Sequence, residues 1–294
     1  MVLYLQGAVI FLVMKCILSA VILTVFGISV HAQKFSLGVF GGVSAYNGDL
    51  TEKAFPKKVT NGAIGITGNY ELFPKITLRA GFTYAVVGGA DRFSDKASQR
   101  ARNLSFETAI YEFSAVGEYY FFDLERQFFS PYLMGGAAVY RFNPYAYSNN
   151  QKVYLKPLST EGQGIEGYEA SKPYSLTQLA LPFGGGVKFA ITDNIRLGVE
   201  VGFRKLFTDH LDDVSGNYVD QADLLAARGP LAVQMAYRGN QLPGGNPYPD
   251  KNAQRGSPKI NDWYYFGGLH LTYKFGNERA FNKRNRLGCP TVPL

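Results

Sequence analysis

Between residues 179 and 207 the chain alternates apolar with small or polar side chains over two consecutive stretches, a pattern that few folds can accept. Leu179, Leu181, Phe183, Val187, Phe189 and Ile191 form one row, with Gly185 completing it; between them lie Gln178, Ala180, Pro182, Gly184, Gly186 and Lys188. After Thr192, Asp193 and Asn194 the alternation resumes with Ile195, Leu197, Val199, Val201 and Phe203 against Arg196, Gly198, Glu200, Gly202 and Arg204. Period-two patterning sustained this long specifies a β-hairpin with one apolar and one polar face. A short loop pairs Ile191 with Ile195 and keeps both apolar rows on one face, and Asn194 suits a left-handed turn position. Each strand reaches the roughly 9–11 residues that a tilted strand needs to cross a bilayer. The polar face is mostly glycine with single charges, which suits the narrow interior of a small barrel better than a water-facing sheet. The competing reading is a long hairpin in a soluble β-protein.

Composition agrees with the membrane reading. The chain has 22 Phe, 20 Tyr and 33 Gly, as aromatic girdles and a glycine-tolerant interior require. Mean hydropathy is near zero, and beyond the N-terminus no apolar run approaches the ~20 residues of a membrane helix. Residues 1–32 read as a secretory signal: Met14 and Lys15 supply the charge, residues 16–30 the apolar core, and Val30-His31-Ala32 the cleavage site, with Met14 as an alternative start. Cleavage leaves Cys289 as the one cysteine, so no intramolecular disulfide is expected. The formal charge of +7 loses Lys15 on export. A basic exported chain points to lipopolysaccharide phosphates or acidic protein surfaces rather than nucleic acid.

Further alternating stretches fall at residues 35–46, 62–72, 76–86, 106–122, 132–142 and 263–275, so eight strands are expected. The connections after the first, third, fifth and seventh are long and the others short, as in outer-membrane barrels with long external loops and tight periplasmic turns. This predicts an all-β, antiparallel up-and-down, OmpA-like barrel over residues 33–275, both termini periplasmic, followed by a basic tail, 276–294. Leu231 to Arg238 also alternates; closure needs an even count, so it is assigned to an external loop. In the fifth strand Tyr132, Met134, Ala138, Tyr140 and Phe142 are taken as the lipid-facing row.

The lumen should then carry Arg79, Glu112, Glu118, Arg141, Lys188, Arg196, Glu200, Arg204, His270 and Lys274. An eight-stranded bore is wide enough only for its own side chains, so these charges are expected to form buried ion pairs, Glu200 with its diagonal neighbour Lys188 among them. Lys205 is the outward charge, snorkelling at the external rim. For catalysis or metal binding the candidates are poor. His210 with Asp209, Asp212 and Asp213 could surround a metal, but a solvated acidic loop start is the preferred reading. His270 lacks an evident acid–base partner and Cys289 reads as a free thiol, so neither enzyme activity nor a cofactor is expected.

Residues 102–106 (Arg-Asn-Leu-Ser-Phe), 157–164, 207–215 and the terminal Cys289-Pro290 resemble the PorG family, outer-membrane barrel components of the type IX secretion system of Bacteroidetes. The resemblance runs through the mature chain, with His210 departing from an expected tyrosine. It implies association with PorK/PorN-like periplasmic ring proteins and a role in export. In the tail, Arg279, Lys283, Arg284 and Arg286 oppose only Glu278, and with Phe281 they form a candidate docking peptide for an acidic ring surface.

Overall fold

A computed structural model of the protein describes residues 34–51, 60–168, 171–259 and 261–275. Residues 1–32, expected to be a signal segment, and the basic tail, 276–294, lie outside the described residues. Eight long strands form the barrel: β1 (Phe35–Asn47), β2 (Asn61–Phe73), β3 (Ile76–Ala90), β4 (Ser105–Tyr120), β5 (Phe129–Arg141), β8 (Thr177–Ala190), β9 (Ile195–Leu206) and β10 (Trp263–Lys274). Each pairs antiparallel with both neighbours, and β1 meets β10 from Ser36↔Lys274 to Asn47↔Trp263, closing the ring. At that seam Gly42 opposes Gly268; a Cβ at Gly42 would lie 2.3 Å from the Gly267 carbonyl oxygen, so the close approach requires glycine. The small hairpin β6 (Tyr145–Ser148) and β7 (Gln151–Tyr154) joins the barrel through Glu107↔Tyr145.

The outward rows are apolar and bare. Ile64 and Phe113 are each 65% exposed, and Leu37, Leu133, Leu179, Val199 and Leu269 stand out similarly. A continuous surface of this kind would aggregate in water, and a closed barrel is one of two ways a chain can satisfy its backbone in lipid. The wall is therefore a membrane-spanning one. Among the described residues no helix is long and apolar enough to cross a membrane.

The facing of β5 differs from expectation. Tyr132, Met134, Ala138 and Tyr140 are buried inward, whereas Leu133, Val139 and Arg141 face out, so Arg141 is not a lumen residue. Both rows of β5 are apolar enough to fit lipid. What decides is register: Tyr140 opposes inward Glu112, and Arg141 opposes outward Tyr111. Asn194 differs too, since it has no positive φ. It binds β10 instead, its carbonyl accepting the Lys274 N–H at 2.7 Å and its side chain donating to the Lys274 carbonyl at 3.1 Å. Residues 231–238 lie in the connection between β9 and β10 rather than in a further strand, and most of them are helical: α2 (Pro230–Ala236) follows α1 (Gln221–Arg228), burying Leu224, Ala232 and Ala236 with Val219.

The main core lies at the long-loop end of the barrel. Tyr46, Ile110, Tyr140, Leu206, Tyr264 and Phe266 from the strands pack with Leu50, Leu211 and Val214 from the loops. The loops thus form a cap continuous with the barrel interior. Val199 lies mid-strand on the outer wall, 49% exposed. Val199→Arg is expected to destabilise the barrel by about 2–4 kcal/mol, the cost of a cation near the bilayer midplane. The urea midpoint in lipid vesicles measures it, and an unchanged midpoint would disprove the outward facing.

Candidate functional site

The interior charges occur in tiers along the bore. At the short-turn mouth, Lys274 Nζ lies 2.8 Å from both Glu71 and Glu125, and Arg196 pairs with the same two carboxylates. Mid-bore, Arg79 lies 2.7 Å from Glu200 and 3.0 Å from Glu118, the latter contact not aligned as a hydrogen bond. Lys188 donates to Glu118 at 2.9 Å and to the Tyr120 hydroxyl at 2.6 Å; Tyr132 donates to Glu200 at 2.6 Å. Above them Arg204 reaches Glu112 through Nε at 3.1 Å and through a terminal nitrogen at 3.2 Å, and Tyr264 donates to Glu112 at 2.6 Å.

These tiers bring together the predicted lumen residues Arg79, Glu112, Glu118, Lys188, Arg196, Glu200 and Arg204. Two expectations fail in detail. Arg141 is outside, and Glu200 pairs with Arg79 rather than Lys188, because Glu200 registers against Gly186 while Lys188 registers against Gly198 and extends toward β4. Glu71 and Glu125 were missed. Glu71 was legible as the next inward residue after Thr67 and Asn69 on β2, but Glu125 sits in a turn with no alternation to mark it.

Glu118, Glu200 and His270 converge within 4.8 Å in a manner that could hold a metal ion. Their charge is already met by Arg79 and Lys188, and His270 Nε2 lies 2.8 Å from Thr67 Oγ1 while Nδ1 lies 3.3 Å from Arg79. A further cation would have to displace these contacts. The arrangement can hold a wall together; it offers no open coordination position.

The cap has a different balance. Asp209, Asp212 and Asp213 are buried, contrary to the solvated loop start expected, because the 207–215 segment folds inward over the bore. Thr160 and Tyr174 donate to Asp213 at 2.6 and 2.7 Å, and Glu161 accepts the Ser215 N–H at 2.9 Å and the Arg255 guanidinium at 2.8 Å. Arg102 pairs with Asp91 at 2.8 Å. Burial pushes the Asp213 carboxyl up to about 6 despite Arg255, and pushes Asp209 up to about 8. Ser215 lowers the Asp209 value, yet neither of its sealed oxygens has a well-formed hydrogen bond. His210 packs its ring 4.8 Å from that of Tyr174, and burial lowers its basicity. Beside this core lies a cleft of about 730 Å³, open at the long-loop end and lined by Asp49, Gln99, Arg102, Tyr218, Tyr237 and Arg255. Nothing local in the sequence marks Arg255 or Glu161, which meet only through the fold.

Glu118 serves both Arg79 and Lys188, so Glu118→Gln takes the carboxylate from buried Lys188 and leaves Arg79 with Glu200 alone, and it is expected to cost about 3–5 kcal/mol. Lys251→Ala, which breaks an exposed 3.8 Å pair with Asp223, should leave the urea midpoint where it is. Equal midpoints for the two variants would show that the bore charges are not coupled.

Comparison with known proteins assigns no activity. No curated protein matches the sequence. Among solved structures, Neisserial surface protein A is similar at 12% identity over 82% of this chain and 97% of its own, with a TM-score of 0.41. Ail of Yersinia pestis, in complex with the heparin analogue sucrose octasulfate, gives 11% identity, 82% and 98% coverage and 0.39. The outer membrane enzyme PagL gives 11% identity, 82% and 99% coverage and 0.29. Residues 15–226 match a family through most of the barrel, stopping before the closing strand β10. The chain belongs to that family, described as a domain of unknown function (DUF6089).

Proposed function

We propose that this is a non-enzymatic outer-membrane barrel that anchors and helps assemble the periplasmic ring of a type IX protein secretion system. The observation that carries the anchoring role is the filled bore. Three tiers of ion pairs and the buried hydroxyls of Tyr120, Tyr132 and Tyr264 occupy the interior, so the barrel serves as a fixed body presenting its two ends. The secretion assignment rests on the PorG resemblance. Three of its segments come together: Thr160 and Glu161 bond to Asp213 and Ser215, and Arg102 donates to the Arg255 carbonyl, within one buried cap, while Cys289-Pro290 lies outside the described residues. In this reading the long loops face outward and both termini face the periplasm. Arg141 and Lys205, outward on the strands near the long-loop rim, meet lipopolysaccharide phosphates, and PorK/PorN-like ring proteins meet the tail through Arg279, Phe281, Lys283, Arg284 and Arg286.

A free-standing surface barrel for adhesion or envelope integrity is the second reading, and the structured outer cleft favours it. Deleting residues 277–294 should leave a heat-modifiable barrel that no longer co-purifies with ring proteins, with secretion reduced. Retention of the ring at unchanged yield in moderate salt removes the tail as the dock; absence of any ring from the intact protein favours the second reading. In planar bilayers the purified protein should show no steady conductance, and open channels of porin size would overturn the anchor role.

A further inference from the structure

The 207–262 connection is clamped at both of its roots by side chains at the barrel mouth. Tyr46, at the end of β1, places its hydroxyl 2.5 Å from Asp212 Oδ2 and 3.1 Å from Asp262 Oδ1. The other oxygen of each carboxyl is occupied: Asp212 Oδ1 accepts the Val214 N–H at 2.9 Å, and Asp262 Oδ2 accepts the Leu211 N–H at 2.8 Å. A phenol has one hydrogen to donate. It can satisfy one carboxylate; the second contact is attractive only if that carboxyl carries a proton and donates it to the phenol oxygen. Solvent does not relieve the conflict, because Tyr46 and Asp262 are 0% exposed and Asp212 is 1% exposed. Gly48 closes the site from the β1–β2 connection, where a Cβ would fall 2.0 Å from Asp262 Oδ1.

The surrounding charges give no relief. Those bearing most on the pair are Asp49, from the β1–β2 connection, and Asp209, on the 207–262 segment itself. Tyr140 of β5 also faces Asp262, and its hydroxyl has no hydrogen-bond partner among the described residues. The buried cations of the cap, Arg102 and Arg255, are held by Asp91 and Glu161. Burial and the neighbouring carboxylates push both Asp212 and Asp262 well above the usual carboxylate range.

We infer that Asp212 and Asp262 share one carboxyl proton which, together with the Tyr46 phenol hydrogen, clamps both roots of the 207–262 segment to the barrel, making the cap a proton-sensitive closure. With the segment open and solvated, the carboxyls titrate near ~4. The closed form holds its proton to higher pH, so the clamp is complete below about pH 4 and is lost as pH rises through the raised value. Across that window one proton raises the opening constant about tenfold per pH unit. Asp209 and Asp213 add protons in the same direction, so the slope must be counted rather than merely detected.

Hydrogen exchange of the full-length protein in lipid nanodiscs, from about pH 5 to about pH 9 and corrected for intrinsic amide rates, yields that slope for peptides of the 207–262 segment. Asp262→Asn mimics the protonated acid: its carbonyl still accepts from Leu211 and its amide donates to Tyr46. Asp212→Asn does the same from the other side and decides the matter if the first variant gives no heat-modifiable barrel. The expected result is opening that increases with pH in the unaltered protein, with the slope reduced by about one proton in either variant. Opening that is flat with pH, or a slope unchanged in both variants, would overturn the shared proton. So would a one-proton reduction found only in Asp209→Asn.

Discussion

In a hydrocarbon environment every backbone N–H and C=O must find its partner within the chain, and that demand organises this protein. The β1–β10 seam meets it by leaving no edge strand. Once the ring closes at eight strands, side-chain facing alternates without freedom: one row must tolerate lipid and the other must fit a bore only as wide as its own side chains. The bare outer row with Ile64, Phe113 and Leu179 is one consequence, and the packed inner row with Tyr132, Tyr140 and Tyr264 is the other.

A bore of this size cannot hydrate its charges freely, so they are retained where they neutralise one another. Arg79 and Lys188 balance Glu118 and Glu200, Arg204 balances Glu112, and Arg196 and Lys274 balance Glu71 and Glu125. Breaking a set in the middle of the bore leaves a charge with no solvent to receive it, whereas the intact sets tie strands far apart in sequence into one register. The cap follows another rule. It gathers Asp49, Asp91, Glu161, Asp209, Asp212, Asp213 and Asp262 with Arg102 and Arg255, which are held by Asp91 and Glu161, and the excess of acid over base is what makes its closure sensitive to protons. Wall and cap are joined by a common core, so a change at the mouth bears on both.

Wall and cap place different demands on the sequence. Strand positions need only be apolar outward and small or paired inward, so many sequences satisfy them. Residues 157–164 and 207–215 must supply particular atoms to one another, as Thr160 does to Asp213 and Glu161 to the Ser215 amide.

The strands, their order and their lipid-facing rows were legible because period-two alternation and the long-short rhythm of connections act locally, residue against next residue. The lumen membership of Arg79, Glu118, Lys188 and Glu200 followed from the same alternation. Tertiary structure decided what alternation leaves degenerate. Both rows of β5 are apolar, and only pairing with Glu112 turned Tyr140 inward and Arg141 outward. Glu200 found Arg79 rather than Lys188 because side chains meet across the bore as well as along the wall. The acidic run at residues 209–213 reads as solvated in isolation, since charge alone carries no information about burial. It is buried because closure of the barrel gives the loops a shared apolar mouth, where Leu211 and Val214 pack with Leu50 and Leu206 and carry their acidic neighbours in with them.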